Sequence, residues 1–176
     1  MSAPRVAAIH DLSCFGRCSL TVVMPTLSVM GVQCCPVPTA CLSTHTGGFA
    51  GSTFLDLTDQ MSPITGHWQS LGLIFDGVYT GFMGSLEQIG RTADFIRAFR
   101  RPGCHIVVDP VMGDHGRPYR TYTPEMCRAM SALAELAGVL TPNATEAALL
   151  LGEDYEAVRL DREADCRRWA KRLSRD

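Results

Sequence analysis

Ile106-Val107-Val108-Asp109-Pro110-Val111-Met112-Gly113-Asp114 is an apolar run that breaks off on an acid, a proline and a glycine. Such a run, closed by turn chemistry, reads as a short buried strand followed by a loop. The pattern returns in Gly138-Val139-Leu140-Thr141-Pro142-Asn143-Ala144-Thr145-Glu146. Acids and amides are thus expected where neighbouring strands end, which is where open α/β sheets hold their ligands.

The rest of the chain has the same rhythm. Val6 to Ile9 reads as a first strand, and Asp11 to Arg17 as a polar loop with Gly16 in it. Ser19 to Met30 carries apolar residues at helical spacing. A second strand is expected over Val32 to Val37, bounded by Gly31 and by Pro36 and Pro38. Ser43 to Gly51 reads as a loop, Gly51-Ser52 opens a helical stretch towards Leu71, and Ile74 to Thr80 is another buried strand. Ser85 with Gln88 predicts a capping box for a helix with Leu86, Ile89, Ala93 and Ile96 on one face. That helix should end near Arg100-Arg101-Pro102-Gly103. Thr123-Pro124-Glu125 predicts a further helix start. Alternation of this kind predicts one α/β domain, mostly a parallel sheet with helices on both faces.

Composition narrows the classes. At 176 residues the chain can bury a core of its own, and 46% hydrophobic with 19% charged residues is a globular balance. A net charge of −2 argues against nucleic acid or an anionic membrane as partner, and no apolar run is long enough for a membrane span. The N-terminus lacks the apolar core of a signal peptide, which points to the cytoplasm. Eight cysteines form no Cys-x-x-Cys pair, so they read as reduced thiols packed as small hydrophobes. The tail from Glu153 is heavily charged, yet Cys166, Trp169, Ala170 and Leu173 mark one apolar helical face. In a strand–helix rhythm a strand should follow, and the chain stops at Asp176; a C-terminally truncated fold is the expectation.

Two carboxylate motifs without a Cys/His cluster suit Mg²⁺ and the phosphates that accompany it. Asp109 and Asp114 frame the first. Asp109 also suits a turn before Pro110, and Asp114 a solvated loop. Asn143 and Glu146 suit a helix N-terminal anion site and, equally, a capping box; both readings stand. Ser43-Thr44-His45-Thr46-Gly47-Gly48 and Asp11-Leu12-Ser13-Cys14-Phe15-Gly16-Arg17 are polar, glycine-bearing segments able to hold a small polar ring. No Gly-x-x-x-x-Gly-Lys-Ser/Thr loop and no Gly-x-Gly-x-x-Gly occurs, which argues against P-loop and dinucleotide-binding enzymes.

Asp109-Pro-Val-Met-Gly-Asp114, Thr141-Pro-Asn-x-x-Glu146, Ser43-Thr-His-Thr-Gly47 and Ile9-His-Asp-Leu-Ser-Cys-Phe-Gly-Arg-Cys-Ser19 together resemble the bacterial pyridoxal/pyridoxamine kinases of the ribokinase-like superfamily. The resemblance runs from about Val6 to Leu151. It implies ATP-dependent phosphorylation of the 5′-hydroxymethyl group of pyridoxal, pyridoxamine or pyridoxine, with Mg²⁺ and often a monovalent cation. It places Asp109 and Glu146 at the ATP phosphates and the metal, supported by Asn143. Thr46 and Gly47 would contact the pyridine substrate, as would Asp11 or Ser13 in the first loop. Phe82 falls where some relatives carry a Tyr, keeping the stacking without the hydroxyl. The catalytic base of the family lies in a Gly-x-Gly-Asp segment that is absent from these 176 residues, as is most of the adenine pocket. The single domain, residues 1–176, is therefore expected to be incomplete, weak or inactive by itself, and homodimeric when full length. Hydroxymethylpyrimidine kinases share Asp-Pro-Val-Met-Gly and Thr-Pro-Asn and are the enzymatic alternative; a non-catalytic fragment that binds a B6 vitamer is the other.

Overall fold

The fold is seen in a computed structural model, which describes residues 3–45, 49–157 and 162–174. Six strands form one sheet: β1 (Arg5–Phe15), β2 (Gln33–Thr44), β3 (Phe54–Asp56), β4 (Gly77–Thr80), β5 (His105–Val108) and β8 (Val139–Leu140). Their order is β3-β2-β1-β4-β5-β8, parallel throughout except for β3. β6 (Gly113–Asp114) and β7 (Arg117–Pro118) make a separate hairpin just past β5.

Side chains alternate between the two faces of each strand, and the helices cover the faces accordingly. Ala7, Ile9, Val37, Val78, Ile106 and Val108 point to the main core. α2 (Thr58–Ser70), α3 (Leu86–Phe99) and α4 (Pro124–Ala134) close it with Met61, Phe95, Ile96, Met130 and Leu133. On the opposite face Ala8 packs against Leu20 and Val23 of α1 (Leu20–Val29). Helices on both faces of a mostly parallel sheet agree with the expectation from the alternating motifs.

Helix starts were the most legible elements. Ser85 Oγ accepts the Gln88 amide at 3.2 Å, and Thr123 Oγ1 accepts that of Met126 at 3.3 Å. The Gln88 side chain does not close the box on Ser85. Its Oε1 accepts from the Gly84 amide at 2.7 Å, and its Nε2 donates to the Thr39 carbonyl and Thr58 Oγ1. Fully buried, Gln88 thereby ties β2, α2 and α3 together.

Element limits differ from expectation in four places, the simplest being β4, which begins at Gly77 and leaves Ile74 exposed. β1 continues through Asp11 to Phe15, absorbing a register shift between His10 and Leu12 instead of ending in a loop. β2 runs through Pro36 and Pro38 to Thr44. β3 pairs only with Ala40 to Leu42, so at both prolines β2 has no neighbour on its outer side among the described residues and needs no donor there. The expected helix from Gly51 begins only at Thr58, after β3, where Asp56 accepts the Thr58 amide at 2.7 Å. Beyond β8, α5 (Ala144–Leu151) and α6 (Glu163–Leu173) pack together through Ala147, Ala148 and the buried Trp169.

Candidate active site

From β1 the chain crosses to β2 on one side, and from β4 it crosses to β5 on the other. The crevice between the carboxyl ends of β1 and β4 is thus the switch point of the sheet, where ligands of such folds bind. A cavity of about 290 Å³ lies there, lined among others by His10, Arg17, Ser19, Tyr79, Phe82 and Asp109.

His10 stands in β1 at its register shift, inside the protein and 4% exposed, with the Tyr79 ring edge-on at a centroid distance of 4.5 Å. Its buried Nε2 has no hydrogen-bond partner among the described residues. Burial takes the imidazole from 6.5 down to about 4, against a smaller upward pull from the Tyr79 backbone, so it is neutral at physiological pH. Gly81 lets the two strand ends approach: a Cβ there would collide with the His10 ring. Across the cavity, burial raises the Asp109 carboxyl from 3.8 to about 6. The Tyr79 phenol is also raised, first by burial and then by Asp109.

The second carboxylate comes from the N-terminus of α5. Asn143 Oδ1 accepts the Glu146 amide at 3.0 Å and Glu146 Oε2 accepts the Asn143 amide at 2.8 Å, a complete capping box. The box does more than cap. Glu146 Oε1 accepts the Met112 amide at 3.3 Å, and Asn143 Nδ2 donates to the Gly113 carbonyl at 2.9 Å. Thr145 Oγ1 accepts the Gly116 amide at 2.9 Å. Three side chains of one helix turn therefore hold the loop that begins at Asp109. The tip of that loop is a two-residue hairpin turn, His115 and Gly116, both at positive φ.

Glu146 is 3% exposed and its carboxyl rises from 4.5 to about 7. Burial is the main cause; Asp109 and Asp114 add to it, and the Asn143 and Met112 amides oppose it. Two acids held this far above their ordinary range form a site that gains from a cation. Among the described residues no group of three His, Cys, Asp or Glu could cage a metal. Two carboxylates fit Mg²⁺ that brings its own phosphates and waters.

These features have counterparts in known proteins. The sequence profile of the phosphomethylpyrimidine kinase family matches residues 24–176. The chain belongs to the phosphomethylpyrimidine kinase family. A solved family member, a putative phosphomethylpyrimidine kinase from Bacteroides thetaiotaomicron, is 47% identical with a TM-score of 0.93 over 98% of this chain and 59% of its own. A second crystal form of it, solved with pyridoxal, is 48% identical with a TM-score of 0.91 over 97% and 59%. Pyridoxal kinase from Lactobacillus plantarum is 32% identical with a TM-score of 0.83, covering 89% of this chain and 55% of its own. Pyridoxal kinase of Arabidopsis thaliana is 31% identical over 93% of this chain and 52% of its own length. The chain thus spans about half of that curated relative. The ribokinase-like α/β fold of these kinases is the fold of this family member.

Within that fold, Phe82 and Asp109 line the cavity, and Asn143 and Glu146 stand behind the loop that carries Asp109. Asp114 sits on the exposed hairpin, where it accepts the His115 amide at 2.8 Å. Asp11 and Ser13 do not line the cavity. Ser13 Oγ donates to Asp11 Oδ2 at 2.9 Å and Ser19 Oγ donates to Oδ1 at 2.5 Å, so the buried carboxylate ties the irregular end of β1 to the start of α1. Thr46 and Gly47 lie outside the described residues. Tyr79 lies in none of the motifs read from the sequence, and His10, Arg17 and Thr145 lie in such motifs without a role of their own. A histidine directly after the apolar run Val6 to Ile9 was the one local signal, since a polar residue at a buried strand end needs a reason.

Proposed function

We propose that this chain carries the alcohol-binding and phosphate-facing part of a vitamin B6 kinase. The reaction is ATP-dependent phosphorylation of the 5′-hydroxymethyl group of pyridoxal, pyridoxamine or pyridoxine, in the cytoplasm, by a protein that is homodimeric at full length. The observation that carries it is Asp109. Its carboxylate lines the switch-point cavity, and its loop is held from behind by the Glu146 and Asn143 pair.

In this reading the vitamer enters the cavity with its ring beside Phe82 and Tyr79 and its polar groups within reach of His10 and Ser19. The neutral imidazole of His10 forms part of the cavity wall beside the Tyr79 ring. Asp109 faces the phosphate side and, with Glu146, answers the charge of the metal–nucleotide complex. Mg²⁺, when bound with ATP, neutralises the phosphates during transfer. Support also comes from the Bacteroides relative, which was solved with pyridoxal.

The 176 residues contain no Gly-x-Gly-Asp segment, so binding and phosphate positioning are assigned to this chain and strong turnover is not. A missing general base costs about 10²–10⁴-fold. The test is equilibrium binding of pyridoxal to the folded 176-residue chain, together with ATP-dependent formation of pyridoxal 5′-phosphate. Vitamer binding with weak or no turnover is expected. Strong turnover by the chain alone would move the base to Asp109, the one carboxylate among the described residues that lines the cavity. A folded chain that ignores every B6 vitamer would overturn the reading.

The family description favours one second reading, a hydroxymethylpyrimidine kinase. Tighter binding of hydroxymethylpyrimidine than of pyridoxal to the same chain would select it.

A further inference from the structure

One pair of side chains near the cavity has no part in the proposed phosphoryl transfer. Cys14 and Cys41 lie on the adjacent parallel strands β1 and β2, whose register pairs Leu12 with Cys41 and Ser13 with Leu42. Their sulfurs are 3.8 Å apart. Cys14 is exposed and Cys41 half-buried, so an oxidant in solution reaches the first and meets the second directly behind it. No disulfide joins the described cysteines.

We propose that Cys14 and Cys41 are a peroxide-oxidisable dithiol, a modification site that links the ends of β1 and β2 by a reversible disulfide. The sulfur of Cys14 attacks one oxygen of a peroxide. An S–O bond forms, the O–O bond breaks, and the leaving hydroxide departs as water with the thiol proton. The Cys41 sulfur then attacks the sulfenic sulfur of Cys14. The S–S bond forms, the S–O bond breaks, and the hydroxyl leaves as water with the Cys41 proton. In sum, two thiols are oxidised and one hydrogen peroxide is reduced to two waters. The sulfurs need to close from 3.8 Å to about 2.05 Å, a movement within reach of side-chain rotation at a strand end.

The site has a structural consequence. One residue past Cys14, Phe15 pairs with Thr44, and its carbonyl accepts the His45 amide at 3.2 Å. Gly16 packs directly against the His45 ring, and Arg17 and Ser19 then line the cavity. A bond between residues 14 and 41 fixes the two strand ends from which this rim departs. The Cys41 thiol is pushed above its ordinary range, first by its hydrogen bond with Cys14 and then by burial. The closing step therefore speeds up as pH rises.

The experiment treats the reduced 176-residue chain with hydrogen peroxide. Remaining thiols are blocked with one alkylating reagent, the sample is reduced, and released thiols are labelled with a second. Fragment mass spectrometry then reads each cysteine. The expected result is loss of the Cys14 and Cys41 thiols together, before any other cysteine, with full return on reduction. In C14S, Cys41 should stay reduced at that dose. In C41S, Cys14 should stop at the sulfenic acid or pass to the sulfinic acid. Oxidation of Cys14 with Cys41 still reduced would overturn the proposal. So would a bridge from Cys14 to Cys18, Cys34 or Cys35, or one between two chains.

Discussion

At the scale of single residues, the two raised carboxyls make a signed prediction about pH. Asp109 goes from 3.8 to about 6 and Glu146 from 4.5 to about 7, so the folded chain holds protons that the unfolded chain has released. Their contribution to stability is fullest below pH 4 and is lost as pH rises through 6 and 7. His10 has the opposite sign. Lowered from 6.5 to about 4, it contributes above 6.5 and loses that contribution as pH falls towards 4. Denaturant unfolding across this range should therefore show the alkaline loss reduced in both D109N and E146Q. Carboxyl carbon NMR should place both midpoints well above free carboxylates, and Mg²⁺ with ATP should pull them down. Titration of either group near pH 4 without ligand would contradict this account. At Gly81, an added Cβ meets the buried His10 ring, so G81A should lower stability and, on the proposed function, weaken pyridoxal binding as well.

At the scale of elements, the first turn of α5 is as much a clamp as a cap. N143A removes the acceptor for the Glu146 amide and the donor to the Gly113 carbonyl. The cap alone is worth about 1 kcal/mol. Amide exchange at Met112 and Gly116 should rise along with exchange in α5 itself, whereas a simple cap would affect only the helix. Gln88 is a clearer stability case. Q88L leaves the half-buried Gly84 amide unpaired and takes one of two donors from the Thr39 carbonyl, which keeps the Leu57 amide, with an expected cost of about 1–3 kcal/mol in chemical denaturation. Ser85-Gln88 was legible as a helix start. That Gln88 would span β2, α2 and α3 was not, because its partners are 49 and 30 residues away.

At the scale of the whole molecule, the sheet is strong at its centre and thin at the end where α6 docks. β1 and β2 pair over nearly their full lengths, whereas β8 contributes two residues. α6 is held through Trp169, whose ring is 3% exposed against Ala147 and Ala148. A groove of about 710 Å³ runs beside it, lined by Leu140, Pro142, Trp169 and Leu173 among others. Hydrogen exchange should therefore release α6 before the central strands. W169A, a truncation of a kind that costs about 3–5 kcal/mol in a core, should free α6 and leave the β1–β2–β4 centre protected. Loss of the whole sheet signal in W169A would show that α6 is integral to the core.

What could be read without coordinates is what depends on neighbours in the chain. Strand–helix alternation, the caps at Ser85, Thr123 and Asn143, and the paired motifs at Asp109 and Glu146 are local patterns, since capping and apolar periodicity act over three or four residues. The prolines of β2 misled because the cost of a missing donor depends on whether a neighbouring strand faces it. Asp11 depends on distant partners in the same way: two hydroxyls, one of them eight residues away, claim its carboxylate. The cavity itself belongs to the tertiary structure. It needs His10 from β1, Tyr79 from β4 and Asp109 after β5 to arrive at one switch point, and strand order alone brings residues so distant in sequence together. The raised carboxyls belong to it as well, because burial, which no local pattern encodes, is the main cause of both shifts.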